Sequence, residues 1–304
     1  MSHRHPGASR GVWVAAMMAD MTTVSAPLGI TGATGRLGGR IARRLADAGV
    51  AQRLLVRDPA RAPRLPNTVV ARAAFGDTEA VAEALAGVRT VLMVSASESA
   101  DRVAQHRSFV DAASAAGVRH LVYVSFYGAA PDASFTLARD HYATEQHIRA
   151  SGPAWTFLRD NMYADFLPLL VGADGVIRGP AGDGRVAAVA QDDIADAATA
   201  VLLDPDAHAG RVYSLTGPAS LTLTEVAATI AAVTGRPVSY HEETVPEAYE
   251  SRASYGAPDW EVDAWVSTYT AIAAGELATV TDDVRRLTGR PATSFAEVLR
   301  RSSQ

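Results

Sequence analysis

A doubly wound α/β fold, with a parallel sheet covered by helices on both faces and a smaller, mainly helical part towards the C-terminus, is predicted by two features of this sequence. The first is a junction over residues 30–41, where an apolar strand runs into Gly32, Gly35 and Gly38 and then straight into a helix. The second is the rhythm behind it, in which short apolar runs alternate with longer helical ones as far as residue 158. Alternation of this kind yields parallel strands joined by helical crossovers. The chain has 304 residues, enough for one large α/β unit and an appendage.

The elements follow in order. After the glycine junction, residues 52–57 read as the second strand, 68–73 as a short third strand, 78–86 as a helix and 90–94 as a strongly apolar strand. A helix over 101–116 ends at Gly117, a residue suited to the position just past a helix. The strand Leu121-Val122-Tyr123-Val124 follows, then a helix over 139–150 stopped by Ser151-Gly152-Pro153, then the strand Trp155-Thr156-Phe157-Leu158. This is a six-stranded unit or something close to it. Beyond residue 160 the rhythm breaks, and the glycine-rich stretch 172–185, with Pro180 inside it, predicts irregular structure. A helix starting at Asp192 or Asp193 runs to residue 203, and 211–215 is a strand. Thr222 or Thr224 caps a further helix closed by Gly235-Arg236-Pro237, residues 238–241 are a strand, and the tail from Pro246 is mostly helical.

Three glycines at this spacing, between strand and helix, predict a dinucleotide site. Gly32 makes the tight turn, Gly35 lets the backbone come close to the phosphates and Gly38 lets the helix pack on the strand. The helix N-terminus adds free N–H groups and a positive dipole end. The kind of nucleotide is read from the end of the second strand, where an acidic residue would accept from a ribose 2′-hydroxyl. Arg57 stands there instead, and Arg36 lies inside the turn. A guanidinium suits a 2′-phosphate, so NADP(H) is expected over NAD(H); the alternative is two solvated surface arginines. The chain then divides into a disordered extension over 1–25, an NADP-binding Rossmann core over 26–160, and a mixed segment over 161–304 that adds core elements and a mainly helical substrate-binding lobe.

Composition removes several other classes. The net charge is −5 and the arginines are scattered, so no nucleic-acid partner and no membrane surface is expected. No cysteine occurs, which excludes disulfides, thiolate metal sites and cysteine nucleophiles. His106 and His120 lack ligand-like neighbours, so no metal is assigned. Arg4 and Arg10 before an apolar run over 11–19 superficially resemble a secretory signal, but the first strand begins almost at once after Pro27, and Met17, Met18 or Met21 could serve as the start. The expected location is the cytoplasm, where a reduced nicotinamide cofactor is regenerated. No coiled coil or apolar stripe decides between monomer and homodimer.

Residues 31–41 and 54–61, Phe75-Gly76-Asp77, Ser95-Ala96-Ser97-Glu98, Ala143-Thr144-Glu145 and Leu158-Arg159-Asp160-Asn161-Met162-Tyr163 together resemble the NmrA-like, atypical short-chain dehydrogenase/reductase superfamily. Within it the chain looks most like the quinone oxidoreductase type 2 and triphenylmethane reductase branch. The resemblance implies NADPH binding and hydride transfer to a quinone or comparable conjugated acceptor. It sets Gly32, Ala33, Thr34, Gly35, Arg36 and Leu37 on the pyrophosphate, Arg57 on the 2′-phosphate, Gly76 and Asp77 near adenine, and Ser97 and Glu98 along the nicotinamide half.

Two departures bear on chemistry. Many members of the branch read Arg-Asn after the sixth strand where this chain reads Arg159-Asp160-Asn161, so a cofactor-facing amide is replaced by Asp160 or displaced by one position. A standard short-chain dehydrogenase pairs a tyrosine with a lysine four residues later; the stretch here is Leu137-Ala138-Arg139-Asp140-His141, with His141 at the lysine place. His141 either bonds the nicotinamide ribose or is a solvated helix residue. Ser125 is the recognisable remnant of the usual constellation. A ketone would give a basic alkoxide that needs a positioned proton. A quinone gives a delocalised phenolate, for which geometry can suffice. The absent tyrosine therefore speaks for a small aromatic or quinone acceptor, with Ser125, Tyr127 and Tyr163 as catalytic candidates.

The acceptor pocket is expected over the carboxyl ends of the strands, lined by Phe126, Tyr127, Asn161, Met162, Tyr163 and Phe166 and closed by Trp260, Trp265 and Tyr269 from the tail. Core packing is the alternative for each aromatic. The competing function is a non-catalytic NAD(P)-binding redox sensor of the NmrA type; a third is an isomerase or dehydratase in which Asp160 acts as base over a scaffold cofactor.

Overall fold

In the computed structural model, which describes residues 27–302, the strand-helix rhythm is regular as far as residue 160. The extension expected over 1–25 lies outside the described residues. In chain order come β1 (Leu28–Thr31), α1 (Arg36–Asp47), β2 (Gln52–Val56), β3 (Thr68–Arg72), α2 (Thr78–Ala84), β4 (Thr90–Val94), α3 (Arg102–Ala115), β5 (His120–Phe126), α4 (Thr136–Ala150) and β6 (Ala154–Asp160). Then follow β7 (Val176–Gly179), β8 (Arg185–Val186), α5 (Gln191–Leu203), β9 (Arg211–Leu215), β10 (Leu221–Thr222), α6 (Leu223–Thr234), β11 (Ser239–Glu242), α7 (Val245–Ala253), α8 (Asp259–Ala273), α9 (Asp283–Thr288) and α10 (Phe295–Ser302). None of the described helices is long and apolar enough to cross a membrane.

The central sheet is parallel throughout, in the order β3-β2-β1-β4-β5-β6-β9. Inner strands such as β4 and β5 read as nearly continuous apolar runs because both faces are covered. Along β4, Leu92 enters the core formed with α1 and α5, while Val91 and Met93 enter the core formed with α2, α3 and α4. This is the alternation of side chains along a strand. A third cluster, built around Ile177, Leu223, Tyr269, Ile272 and Leu299, forms the core of the outer part.

The structure changes the sequence reading in two places. The sheet has seven strands, because β9 pairs in parallel with β6, Leu158 opposite Tyr213. Its position is set by α5, which packs on α1 through Arg44 to Asp192 (2.8 Å) and Asp196 (2.5 Å) and through Arg40 to Asp192 (3.2 Å). The second place is the stretch read as irregular, which contains β7 and β8. Here β7 pairs in parallel with β11, and β8 is antiparallel to β10. These partners are distant along the chain, so no local periodicity announces them.

The tail is tied back to the core. The Asp193 carboxylate, fully buried on α5, accepts from Thr293 N (2.6 Å) and Thr293 Oγ1 (2.8 Å) and meets Arg290 at 2.8 Å. Of the two acids expected to begin α5, Asp193 therefore also holds the C-terminal segment. Thr222 caps α6 in a reciprocal arrangement with Glu225, and Thr244 caps α7 in the same way with Glu247.

Candidate active site

The glycine junction is an open cradle at the end of β1. Gly32 has φ +66°, and its carbonyl accepts from Gly35 N at 2.9 Å, closing the turn. A Cβ on Gly38 would lie 2.4 Å from Gly32 O, so only glycine lets α1 lie this close to the strand. Thr31 fastens the turn from below: its Oγ1 accepts from Val94 N at 2.8 Å. Thr34, Gly35 and Arg36 are exposed, whereas Ala33 and Leu37 are buried beneath them. No side chain caps the N-terminus of α1, and its first turn holds no acid. Free N–H groups of this kind suit a pyrophosphate.

Arg57 follows β2 and is exposed, with no hydrogen-bond or ion-pair partner among the described residues. Asp58 beside it is engaged elsewhere, accepting from Ala60 N at 3.0 Å to cap a short 3-10 turn. Arg36 stands over the Phe166 ring, 5.9 Å from its centre. Gly76 has open space around it, and the Asp77 carboxylate caps α2 by accepting from Ala80 N at 3.1 Å. Ser97 and Glu98 are exposed on the loop after β4.

Below that loop lies a buried polar network that the sequence reading missed. Arg102, 5% exposed at the start of α3, donates to Ala96 O (3.2 Å) and to His141 Nε2 (3.1 Å). Its Nη1 makes no hydrogen bond, and the nearest carboxylate, Asp140, is 3.9 Å away. The other His141 nitrogen, Nδ1, is 2.9 Å from the Tyr123 hydroxyl. In this arrangement His141 is neither solvated nor free to reach a ribose. Burial first, then Arg102, hold its imidazole well below the usual histidine range. His106 accepts from Ala96 N at Nε2 (2.9 Å) and meets Thr144 Oγ1 at Nδ1 (2.8 Å); burial and Arg102 push it down to about 3. The available signal was spacing: Arg102 and His106 on α3, and His141, Thr144 and Glu145 on α4, recur at intervals that put polar groups on the inward face.

Ser125 is fully buried, and its hydroxyl donates to Glu145 Oε1 at 2.7 Å. Arg159 binds the same carboxylate through two nitrogens, Nε to Oε1 at 2.7 Å and Nη2 to Oε2 at 2.6 Å. The Ser125 hydroxyl is thus committed to an internal carboxylate. Phe126, Tyr127, Phe135 and Met162 are partly buried and pack against the outer cluster, with the Phe126 and Phe135 rings 4.9 Å apart. Tyr163 packs near the glycine turn instead, in the cluster of Ala33 and Leu37, and meets Phe166 edge-on at 5.2 Å. Trp265 contacts Tyr255 edge-on at 5.9 Å. Tyr269 is a packing residue, buried against Gly179, where a Cβ would lie 2.3 Å from its ring.

The neighbours Asp160 and Asn161 differ in commitment. Asn161 donates to Leu277 O (3.0 Å) and accepts from Met162 N (2.8 Å), so both ends of its amide hold the protein together. Asp160 is 3% exposed at the end of β6, and its Oδ2 has no partner among the described residues. Burial holds this carboxyl well above the usual carboxylate range, against a smaller opposing pull from Tyr163 and Arg102. Among the described residues no cluster of histidines and carboxylates could hold a metal ion.

Residues 32–205 match the family model described as NAD(P)H-binding. Quinone oxidoreductase 2 of Escherichia coli (strain K12) is 34% identical over 277 residues, which cover 89% of this chain and 96% of that protein. The crystal structure of the NADPH-dependent quinone oxidoreductase from Escherichia coli complexed with NADPH aligns with TM-score 0.83 and 32% identity, covering 91% of this chain and 100% of that one. The NAD(P)H azoreductase of Xenophilus azovorans is 35% identical over 274 residues, covering 88% and 95% of the two chains. The crystal structure of Citrobacter sp. triphenylmethane reductase complexed with NADP(H) gives TM-score 0.81 and 29% identity, covering 90% and 99%.

Proposed function

Because the chain belongs to the NAD(P)H-binding family, within the NmrA-like superfamily, we propose that it is an NADPH-dependent reductase acting on a quinone or a comparable conjugated small molecule. The observation that carries this reading is the 34% identity with quinone oxidoreductase 2 over 89% of this chain, which coincides here with an open glycine cradle and an exposed, unpartnered Arg57. A nicotinamide dinucleotide held in that cradle would supply the hydride. Arg57 would grip the 2′-phosphate, a contact NADH cannot make.

The chain's own groups fit an acceptor that needs little proton assistance. With Ser125 tied to Glu145 and His141 tied to Arg102 and Tyr123, the usual serine, tyrosine and lysine machinery has no free member. A ketone would leave a strongly basic alkoxide in that setting, whereas a quinone leaves a delocalised phenolate. The Phe126 and Phe135 rings, 4.9 Å apart, pack on the same outer cluster as Tyr127 and Met162, and the Tyr127 hydroxyl, which makes no hydrogen bond among the described residues, would pass a proton to such a product. Those side chains offer a flat apolar wall suited to an aromatic ring.

The test is to incubate the purified protein with NADPH or NADH and a panel of small quinones, following the loss of reduced-nicotinamide absorbance. Turnover with NADPH supports the reading. Tight dinucleotide binding without turnover by any member would replace it with the sensor role, and no binding would remove both.

A further inference from the structure

Two side chains at the end of β6 could meet a ligand, and one of them has a buried oxygen without a partner. The Asn161 amide is held at both ends, by Leu277 O and Met162 N. The Asp160 backbone is also satisfied, its carbonyl accepting from Tyr127 N at 2.8 Å, but its Oδ2 is orphaned. An unpartnered buried polar atom is costly, and more so when charged. A fold retains one where a proton or a ligand offsets that cost.

The position indicates which ligand. Asp160 lies at the carboxyl end of β6, the edge over which open parallel sheets bind ligands. Tyr163 beside it packs in the same cluster as Ala33 and Leu37 of the glycine turn and Val94 at the end of β4. The charged and titratable groups facing it are Arg102 from α3, Tyr123 from β5 and Tyr163 from the segment after β6, with Asp165 acting on Tyr163. Arg102 is the cation among them, and burial outweighs it.

We propose that Asp160 senses the redox state of the bound dinucleotide, favouring the uncharged reduced nicotinamide ring as a neutral acid and the cationic oxidised ring as a carboxylate. This rests on the reading that the crevice holds a nicotinamide dinucleotide. Loss of the proton as pH rises puts a negative charge in the crevice. It repels the phosphates of both dinucleotides alike but attracts only the oxidised ring, so the affinity for NADP+ rises relative to that for NADPH. By linkage, the Asp160 pKa is higher with NADPH bound than with NADP+ bound.

Dissociation constants for NADPH and NADP+, measured by calorimetry from mildly acid to mildly alkaline pH on the wild type and Asp160→Asn, test this. In the wild type the affinity ratio should shift towards NADP+ by roughly tenfold across the titration, the scale of one partly screened charge pair; in Asp160→Asn it should be flat. A flat wild-type ratio, or a slope that persists in the variant, overturns the proposal. Should the variant not fold, carbon-13 spectra of the aspartate-labelled wild type decide. A carboxyl titrating above the usual range should have a higher midpoint with NADPH than with NADP+, and equal midpoints overturn the proposal. Failure to bind either dinucleotide overturns this and the cofactor reading together, whereas binding without quinone turnover overturns only the reductase reading and leaves the ratio to judge Asp160.

Discussion

Arg102 donates from Nη2 to Nε2 of His141 across 3.1 Å, and this single hydrogen bond fixes the tautomer of the imidazole. A guanidinium can only donate, so Nε2 must hold its lone pair and the ring proton sits on Nδ1, donated to the Tyr123 hydroxyl at 2.9 Å. The residue that the resemblance sets at the lysine place is therefore a neutral ring. The cation beside it is the buried Arg102 of α3.

Replacing Arg102 with Met should retain the aliphatic packing but leave His141 Nε2 and Ala96 O without a donor. The expected loss is about 1–3 kcal/mol of unfolding free energy, the usual cost of stranded buried polar groups. Urea denaturation measures it, and a variant as stable as the wild type would contradict the network.

His106 makes stability depend on pH with a definite sign. Its folded pKa is pushed down to about 3 from an ordinary 6.5, so between those values the unfolded chain binds a proton that the folded chain refuses. Stability rises with pH wherever the unfolded state binds more protons. The contribution is complete above 6.5 and is lost as pH falls towards 3. Urea midpoints should decline through this window, and His106→Gln should reduce the decline.

The sequence made the sheet core legible because its signals are local. The apolar runs of β1, β2 and β4, the spacing of Gly32, Gly35 and Gly38 and the stop at Gly117 all act within a few residues. The β7–β11 and β8–β10 pairings were not legible, since nothing in 176–179 or 185–186 names a partner so far along the chain. The cradle residues form one turn at the end of β1. The polar atoms of Ser125, His141 and Asn161 are taken by Glu145, Arg102, Tyr123 and Leu277. A sequence indicates which residue types reach a site, whereas tertiary partners decide which still have a hydrogen bond to give.

Glu145 holds two groups, and its loss should strand both. Glu145→Ala leaves the Arg159 guanidinium and the Ser125 hydroxyl without their acceptor. Breaking a buried pair from one side costs about 3–5 kcal/mol, so a fall in thermal midpoint well beyond that of Ser125→Ala is expected. Ser125→Ala removes a neutral donor and should cost about 1 kcal/mol. Calorimetry of the two variants compares them, and equal losses would mean that Arg159 finds another partner.

Arg57→Ala separates the two nicotinamide dinucleotides. The guanidinium has no internal partner among the described residues, so its removal should leave the fold unchanged. NADPH affinity should fall by about tenfold or more, on the scale of a charge-assisted hydrogen bond. NADH affinity should stay near its original value. Equal weakening of both in titration calorimetry would mean that Arg57 does not read the 2′-phosphate.

Gly38→Ala tests the cradle itself. The added methyl group would lie 2.4 Å from Gly32 O and 2.5 Å from Gly32 C, atoms of a turn whose carbonyl also accepts from Gly35 N. Backbone cannot rotate away as a side chain does, so α1 must retreat from β1 or the turn must open. Helix retreat disturbs the packing of Leu37 and Ile41 in the core, at a cost of about 1–3 kcal/mol. Turn opening moves the N–H groups that would meet the pyrophosphate. Either way dinucleotide affinity should fall together with stability, for NADPH and NADH alike. Gly49→Ala provides the contrast: Gly49, unlike Gly38, has a positive φ of +77°, and nothing lies within 4 Å of its added Cβ. It should lower the thermal midpoint slightly, through backbone strain alone, and leave both dinucleotide affinities unchanged. A Gly38 variant that bound NADPH as tightly as the wild type would show that the phosphates do not rest on this turn.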